Sequence, residues 1–444
     1  MDRSIDLIHG DMKRNFTLFC LPIFYGLIFQ NLYNSVDSIV VGQFVSSNAL
    51  AAVTVCGNIT NMMVGFFTGL STGASVLYSR YFSADDPENL RKSIHTSILF
   101  VMLLGIAITA AALFYSRALL QVINCPADVI EDALVYLRIY LIGLLFTGFY
   151  NVGSAVMRSV GDSRTPFYYL IAASLLNIVL DVLLVTAVHM GVIGVAVATI
   201  ISQGVSAFLT MRRMRTTKEV WKLEWSDLKI DRPILKEIIL LGMPAAIQTI
   251  IQSISNLFVQ GYINEFGAYA VAGIGSAQKI DQFACMPAQS IGLGLTTYVS
   301  LNEGADEHER CRRGIQFATV LDLIITALVS IPVYMNAGAL MSIFTNDPEV
   351  IKAGIGLLRV IMPLYEFMGL MQVSAGILRG YGKSMAVMAF SIGGMVVLRQ
   401  IYLFIVMNRF HTIQMIYWCY PVCWIATVAA SYIYYFMLVR KRAA

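Results

Sequence analysis

Charge is scarce in this chain: 31 basic and 27 acidic residues among 444, or 13%, where an ordinary soluble domain carries about 25%. That scarcity excludes a soluble globular protein. The formal net charge of +4 gives no reason to expect nucleic acid as a partner. Cysteines number seven, an odd count with no CxxC spacing. Cys419 and Cys423 share a helical face, but the others read as small apolar residues, so neither structural disulfides nor a metal site is expected. The five histidines (His9, His95, His189, His308 and His411) fall in loops or at the ends of apolar runs. No HExxH or GxSxG pattern accompanies them, so no enzyme and no cofactor is expected. A cleavable signal peptide is not expected either, because the first apolar run is too long and lacks a small-residue cleavage pattern.

Apolar length is what the chain has. It is 57% hydrophobic with a mean hydropathy of +0.70, and its apolar stretches run about 20 residues or more, enough to cross hydrocarbon as helices. Twelve such spans are predicted between residues 15 and 438. Basic residues gather before the first span (Arg3, Lys13, Arg14) and after the even-numbered ones. The largest group, Arg212 to Lys236, follows the sixth span, whereas the alternate loops hold little beyond Arg117 and Arg409. The bias of Lys and Arg toward the cytoplasm then places both termini inside, in a plasma (inner) membrane.

The sequence also repeats itself. Gly73, Ser79, Asp85, Glu88, Arg91 and Ile94 recur 221 residues on as Gly294, Ser300, Asp306, Glu309, Arg312 and Ile315. Further along, Arg138, Gly148, Arg158 and Gly161 recur as Arg359, Gly369, Arg379 and Gly382. An even number of spans per copy makes the repeats parallel, related by a pseudo-twofold axis along the membrane normal. The expected fold is an all-α polytopic membrane protein of twelve helices in two six-helix lobes. Its parts are a cytoplasmic N-terminus (1–14), an N-lobe (15–211), a linker (212–236), a C-lobe (237–438) and a cytoplasmic C-terminus (439–444).

Ionisable groups inside spans cost about 2.5–3.5 kcal/mol each on insertion scales, so each asks for a reason. Asp181 lies one turn from Asn177, Asp37 lies near the same end of span one, and Thr199 lies in span six. At 1.5 Å per residue the three share a depth of roughly 10 Å below the outer surface. Two carboxylates with an amide and a hydroxyl at one level can hold a cation, or share a proton; the bland reading is a polar knot locking three helices. The repeat places Tyr402, Leu398 and Tyr420 opposite Asp181, Asn177 and Thr199, with Asp37 falling near Asn256. The ion site therefore belongs to the N-lobe. Arg138 and Arg359 are kept in both copies and read as architecture. Glu366 has no acidic repeat partner and reads equally as a counter-charge for a cationic substrate, a second proton site, or a pair with Arg399 or Lys279. Asp281 and Lys279 face different ways on a helix, and Asp322 is left without a role. Pro22 and Pro244 mark bends, and Pro22 shares its helix with Asp37, so ion capture could couple to bending. The 22 Met, 24 Phe and 22 Tyr suit an adaptable apolar cavity.

The run Tyr33-Asn34-Ser35-Val36-Asp37, the turn Arg158-Ser159-Val160-Gly161-Asp162-Ser163, the Asn177 to Asp181 helix and the copy Leu378-Arg379-Gly380-Tyr381-Gly382 together resemble the multidrug and toxic compound extrusion (MATE) transporters over nearly the whole chain. The resemblance implies an antiporter that exports amphipathic, often cationic drugs or metabolites in exchange for inward H⁺ or Na⁺, through alternating access of two lobes. It also implies a cation site on Asp37, Asn151, Asn177, Asp181 and Thr199, with Pro22 as the bending proline. Asn151 enters that set by resemblance alone. The chain departs from a branch with an acid in span seven, where Gln252 stands, so a C-lobe cation site of that kind is not expected. The alternative is a flippase for a lipid-linked sugar or other anionic amphiphile, which would call for several cavity-facing Arg or Lys. The expected partners are small amphipathic substrates and the bilayer, with the chain working as a monomer.

Overall fold

The computed structural model describes residues 4–123 and 125–443, and for Ser47 and residues 441–443 the backbone alone. Arg3 and the side chains of Lys441 and Arg442, counted above among the basic residues, lie outside the described residues. So do parts of the tails 1–14 and 439–444. Every regular element among the described residues is helical, as the bilayer requires of a chain whose backbone groups have no water to bond.

Twelve long rods carry the fold. In the first half these are α1 (Met12–Phe44), α2 (Ser47–Ser83), α3 (Pro87–Phe114), α4 (Ile130–Ser159), α5 (Arg164–Ala187) and α6 (Gly191–Thr216). In the second they are α7 (Arg232–Asn264), α8 (Ala268–Gly304), α9 (His308–Met335), α10 (Pro348–Gly380), α11 (Ser384–Phe410) and α12 (Ile413–Ala443). Eleven of them are long and apolar enough to span a membrane on their own composition. The exception is α8, whose middle carries Gln278, Lys279, Asp281 and Gln282. It packs against α1, α2, α9 and α10, so much of its surface meets protein instead of lipid. Several rods outrun the apolar stretches that announced them. α6 continues through Arg212, Arg213 and Arg215 to Thr216, leaving 217–231 as the link, regular only in a 3-10 turn at Trp225–Asp227. Hydropathy marks where hydrocarbon stops, and the backbone goes on bonding beyond it.

The duplication is written into the backbone. α1 and α7 have 33 residues each, α2 and α8 37 each, and α3 and α9 28 each. Asp85 and Asp306 both take a left-handed conformation (φ 52° and 56°), and so do Gly161 and Gly382 (φ 87° and 71°). Side-chain caps open the helices after polar turns: Asp86 accepts from Asn89 N and Asp231 from Ile234 N, with a proline in the first turn of each helix. One half departs from its copy. α5 closes in a π turn at Leu183–Ala187, whereas α11 carries its π segment mid-helix at Gly393–Leu398.

The lobes meet through α1 and α2 on one side and α7 and α8 on the other. Burial against lipid gives no hydrophobic drive between helices, so close approach of small residues does the work. Gly69 and Gly73 form a GxxxG pair on α2. A Cβ at Gly73 would lie 2.2 Å from the Leu241 carbonyl and 2.3 Å from Gly242 Cα, and one at Gly69 2.7 Å from the Ala245 backbone. These contacts lie toward the end of the bundle that carries the link 217–231, called here the linker end. Toward the far end Gly57 and Gly261, on the same two helices, have nothing within 4 Å.

Candidate functional site

Asp37, Asn177, Asp181 and Thr199, which the sequence argument set at one level of one lobe, stand on α1, α5 and α6. All four are buried, Asp37 at 6% exposure and Asp181 at 0%. α1 and α5 pack side by side, as do α5 and α6, so the three helices present their polar residues to one another. The carboxyls of Asp37 and Asp181 stand close enough to share a hydrogen bond when one of them carries a proton. Among the described residues no donor serves the rest of the cluster. Oδ1 of Asp37, both carboxyl oxygens of Asp181 and both amide atoms of Asn177 are buried without a hydrogen-bonding partner. Thr199 Oγ1 donates to the Val195 carbonyl at 2.9 Å, which leaves its lone pairs free to accept. Buried polar atoms are ordinarily satisfied. Oxygens of two acids, an amide and a hydroxyl left open together form a hard-donor set that suits a proton or an alkali cation. The π turn starts two residues after Asp181, in keeping with the frequency of π bulges at functional sites.

Beside this cluster lies a cavity enclosed almost wholly by the N-lobe, with about 1120 Å³ of space between atoms, its opening included. Asn177 and Thr199 form part of its wall, with Pro22, Tyr33, Thr68 and Asn151; Asp37 and Asp181 do not line it. Asn151 is engaged by bonds of its own. Its Oδ1 accepts from Thr68 Oγ1 at 3.2 Å and its Nδ2 donates to the Thr147 carbonyl at 2.8 Å. Pro22 faces the cavity from within an unbroken α1, where it deprives the preceding turn of one backbone bond.

Sequence reasoning that started from ionisable groups and added only a few polar neighbours missed Gln203 and Thr147. Thr147 Oγ1 donates to Gln203 Oε1 at 2.9 Å, and Gln203 Nε2 donates to the Tyr140 hydroxyl at 3.4 Å, making a polar rung across α4 and α6 inside the cavity. An amide in the middle of a span was the available signal.

The second lobe is built differently. Glu366 does not line the N-lobe cavity and does not pair with Arg399. Its neighbour is Asp322, 0% exposed, whose two oxygens are buried and unpartnered, as is Glu366 Oε2. Arg399 is 2% exposed and crosses instead to α7. There its Nε donates to Ser255 Oγ at 3.2 Å and its Nη2 to Asn256 Oδ1 at 2.9 Å. Asp281 accepts from the Tyr365 hydroxyl at 2.7 Å. Arg138 donates to Ser116 Oγ at 3.1 Å, and Arg359 is exposed. Among the described residues no cluster of three or more His, Cys, Asp or Glu could hold a metal ion.

Comparison with known proteins follows the same two halves. The profile described as MatE matches residues 22–183 and again 244–405. Among curated proteins, the "Probable multidrug resistance protein YpnP" of Bacillus subtilis is 27% identical over 402 residues, covering 89% of each chain. The "Probable multidrug resistance protein YoeA" of the same organism is 27% identical over 376 residues, covering 83% of this chain and 81% of its own. Among solved structures, one titled as the outward-facing conformation of a multidrug resistance MATE family transporter superimposes with a TM-score of 0.93 at 22% identity, over 99% of both chains.

Proposed function

This chain belongs to the MatE family of integral membrane transporters, and from that premise we propose that it is an antiporter exporting amphipathic, often cationic compounds in exchange for inward H⁺ or Na⁺. The N-lobe cavity takes the substrate and the Asp37–Asp181 cluster takes the coupling ion. Both termini and the link 217–231 face the cytoplasm of a plasma (inner) membrane, which makes the linker end, where Gly69 and Gly73 meet α7, the inner one. The chain works as a monomer and carries no cofactor.

The observation that carries this reading is the set of orphaned oxygens beside the cavity. Two carboxylates deep within spans and without a counter-charge are costly, and nothing among the described residues offsets that. A proton or Na⁺ arriving from outside supplies what is missing: it converts a repelling pair into one that shares a hydrogen bond, or sits between carboxylate, amide and hydroxyl oxygens. Asn177 lies both in the cluster and in the cavity wall, so occupation of one alters the other. An ion that binds one conformer more tightly shifts the population toward it by that difference in affinity and no more. The cycle then runs by loading the acids, releasing substrate outward, and closing.

The test is dye efflux from proteoliposomes under an imposed pH gradient and, separately, a sodium gradient. Asp181→Asn should insert and fold as wild type while gradient-driven efflux falls to the level of empty vesicles. Wild-type rates in that variant would remove the ion site from the mechanism. The gradient that sustains wild-type efflux identifies the coupling ion.

A further inference from the structure

The N-lobe cavity has a second polar end. Arg158, near the close of α4, lines it together with Tyr150 and Ser163, and no hydrogen bond or ion pair holds its guanidinium among the described residues. The Tyr150 hydroxyl, which lines the same cavity, is engaged with the Pro166 carbonyl at 3.1 Å. Asp162, one turn further on, spends a carboxylate oxygen on the Thr165 amide at 2.9 Å. The duplication shows what is missing. The repeat partner of Arg158 is Arg379, whose Nη2 donates across to Gln248 Oε1 on α7 at 3.1 Å. The N-lobe position matching Gln248 is Leu27 at the 221-residue offset, Gly26 in the register that pairs Pro22 with Pro244, or Phe29 in the one that sets Asp37 opposite Asn256. None of the three has a side chain that can accept a hydrogen bond, and Leu27 and Gly26 line the cavity. The same arginine is thus tied down in one lobe and released toward the cavity in the other.

We propose that Arg158 forms an anion-reading subsite of the N-lobe cavity, which receives the carboxylate of an amphiphilic substrate lying along Ile23, Leu27, Phe167 and Leu170. The inference rests on the cavity being the transport site and adds to it a class of cargo: molecules carrying an acid group as well as an apolar body. A guanidinium presents a planar fork that matches a carboxylate in bidentate fashion, and a partly desolvated one without a partner gains most from such a ligand. From Pro166, near this end, to Asn177, beside the acid pair, α5 rises roughly 16 Å at 1.5 Å per residue. A zwitterion of drug size can therefore set its anion on Arg158 and its cationic part toward the Asp37–Asp181 end.

The experiment uses a matched dye pair, rhodamine B with its free carboxylate and its ethyl ester without it. Binding to the purified full-length protein is followed by fluorescence anisotropy. Wild type should favour the acid, and the ratio of the two dissociation constants should fall about tenfold in Arg158→Gln. Arg158→Lys should keep that ratio within about threefold of wild type. Leu27→Gln, which restores the amide that the C-lobe supplies, should lower the ratio while leaving the charge in place, and it decides the matter if Arg158→Gln fails to fold. An unchanged ratio in Arg158→Gln, or in Leu27→Gln where that variant stands in for it, overturns the subsite while the transport reading stands. Wild-type protein that binds neither dye overturns both.

Discussion

A buried charge must be met by something, and the two lobes meet theirs in different ways. Where α1 touches α5 the N-lobe sets acid against acid and leaves the oxygens open. In the corresponding contact of α7 with α11, Arg399 meets Ser255 and Asn256, so the C-lobe closes its contact with a cation of its own. The difference makes an ordered prediction. Arg399→Leu removes the charge and leaves two neutral groups short of a partner, at about 1–3 kcal/mol. Asn256→Leu keeps the charge buried and strips part of its solvation, which costs more. Apparent unfolding temperatures in detergent should therefore fall further for Asn256→Leu than for Arg399→Leu; the reverse order would show that Arg399 is solvated some other way. Asp37, Asn177, Asp181 and Thr199 could be grouped from the sequence, because helical spacing and depth are enough to suggest groups at one level. It did not reveal that Arg399 ignores Glu366, since which helix a long side chain crosses to depends on packing between rods.

At the scale of the helix, the α2–α7 crossing decides how closely the lobes approach. With the Leu241 carbonyl 2.2 Å from the place a Cβ would take at Gly73, Gly73→Ala cannot be absorbed by a rotamer change, because the obstruction is backbone. A loss on the order of 1–3 kcal/mol, as for overpacking elsewhere, should appear as a lower unfolding temperature. Gly57→Ala, on the same helix with open space around it, should leave that temperature unchanged or raise it, since Ala is the better helix former. Equal losses at both positions would mean that the crossing is not tight. The GxxxG spacing of Gly69 and Gly73 was present in the sequence, but its partner helix was not. The link 217–231 behaves likewise. Composition marks it as polar and basic, yet the structure docks it on α3, where the Glu224 amide donates to His95 Nε2 at 3.1 Å and Arg91 pairs with Glu224 and Asp227. Those bonds join residues more than 125 positions apart, and no local pattern announces them.

For the molecule as a whole, the linker end is tied more than once. Residues 4–11 strap both lobes: the Ile5 amide donates to the Gly161 carbonyl of the N-lobe at 3.0 Å, and Asn302 and Arg310 of the C-lobe both donate to the Leu7 carbonyl at 3.3 Å. Halfway along the bundle, Gln282 of α8 donates to Asn31 of α1, again joining one lobe to the other. A cysteine pair at Asn31 and Gln282 should cross-link in this state and hold the lobes together. Dye efflux in proteoliposomes should then drop to background under oxidation and recover with reductant. Efflux that persists through complete cross-linking would mean that these two helices need not separate during the cycle.

What the sequence determined by itself is what short-range rules control. Apolar length set the helices, duplication set the two lobes, and spacing along α5 put Asn177 and Asp181 on one face. Even the left-handed turns at Gly161 and Gly382 fall where the repeat places them. Only the tertiary structure decided which buried charges find a partner and which, in either lobe, do not. That outcome turns on single partners brought in from other helices, Gln248 for Arg379 and Asn256 for Arg399, and on Leu27 offering no such group to Arg158. Hydrogen bonds of this kind depend on distances of about 3 Å between rods, and a one-dimensional pattern does not contain those distances.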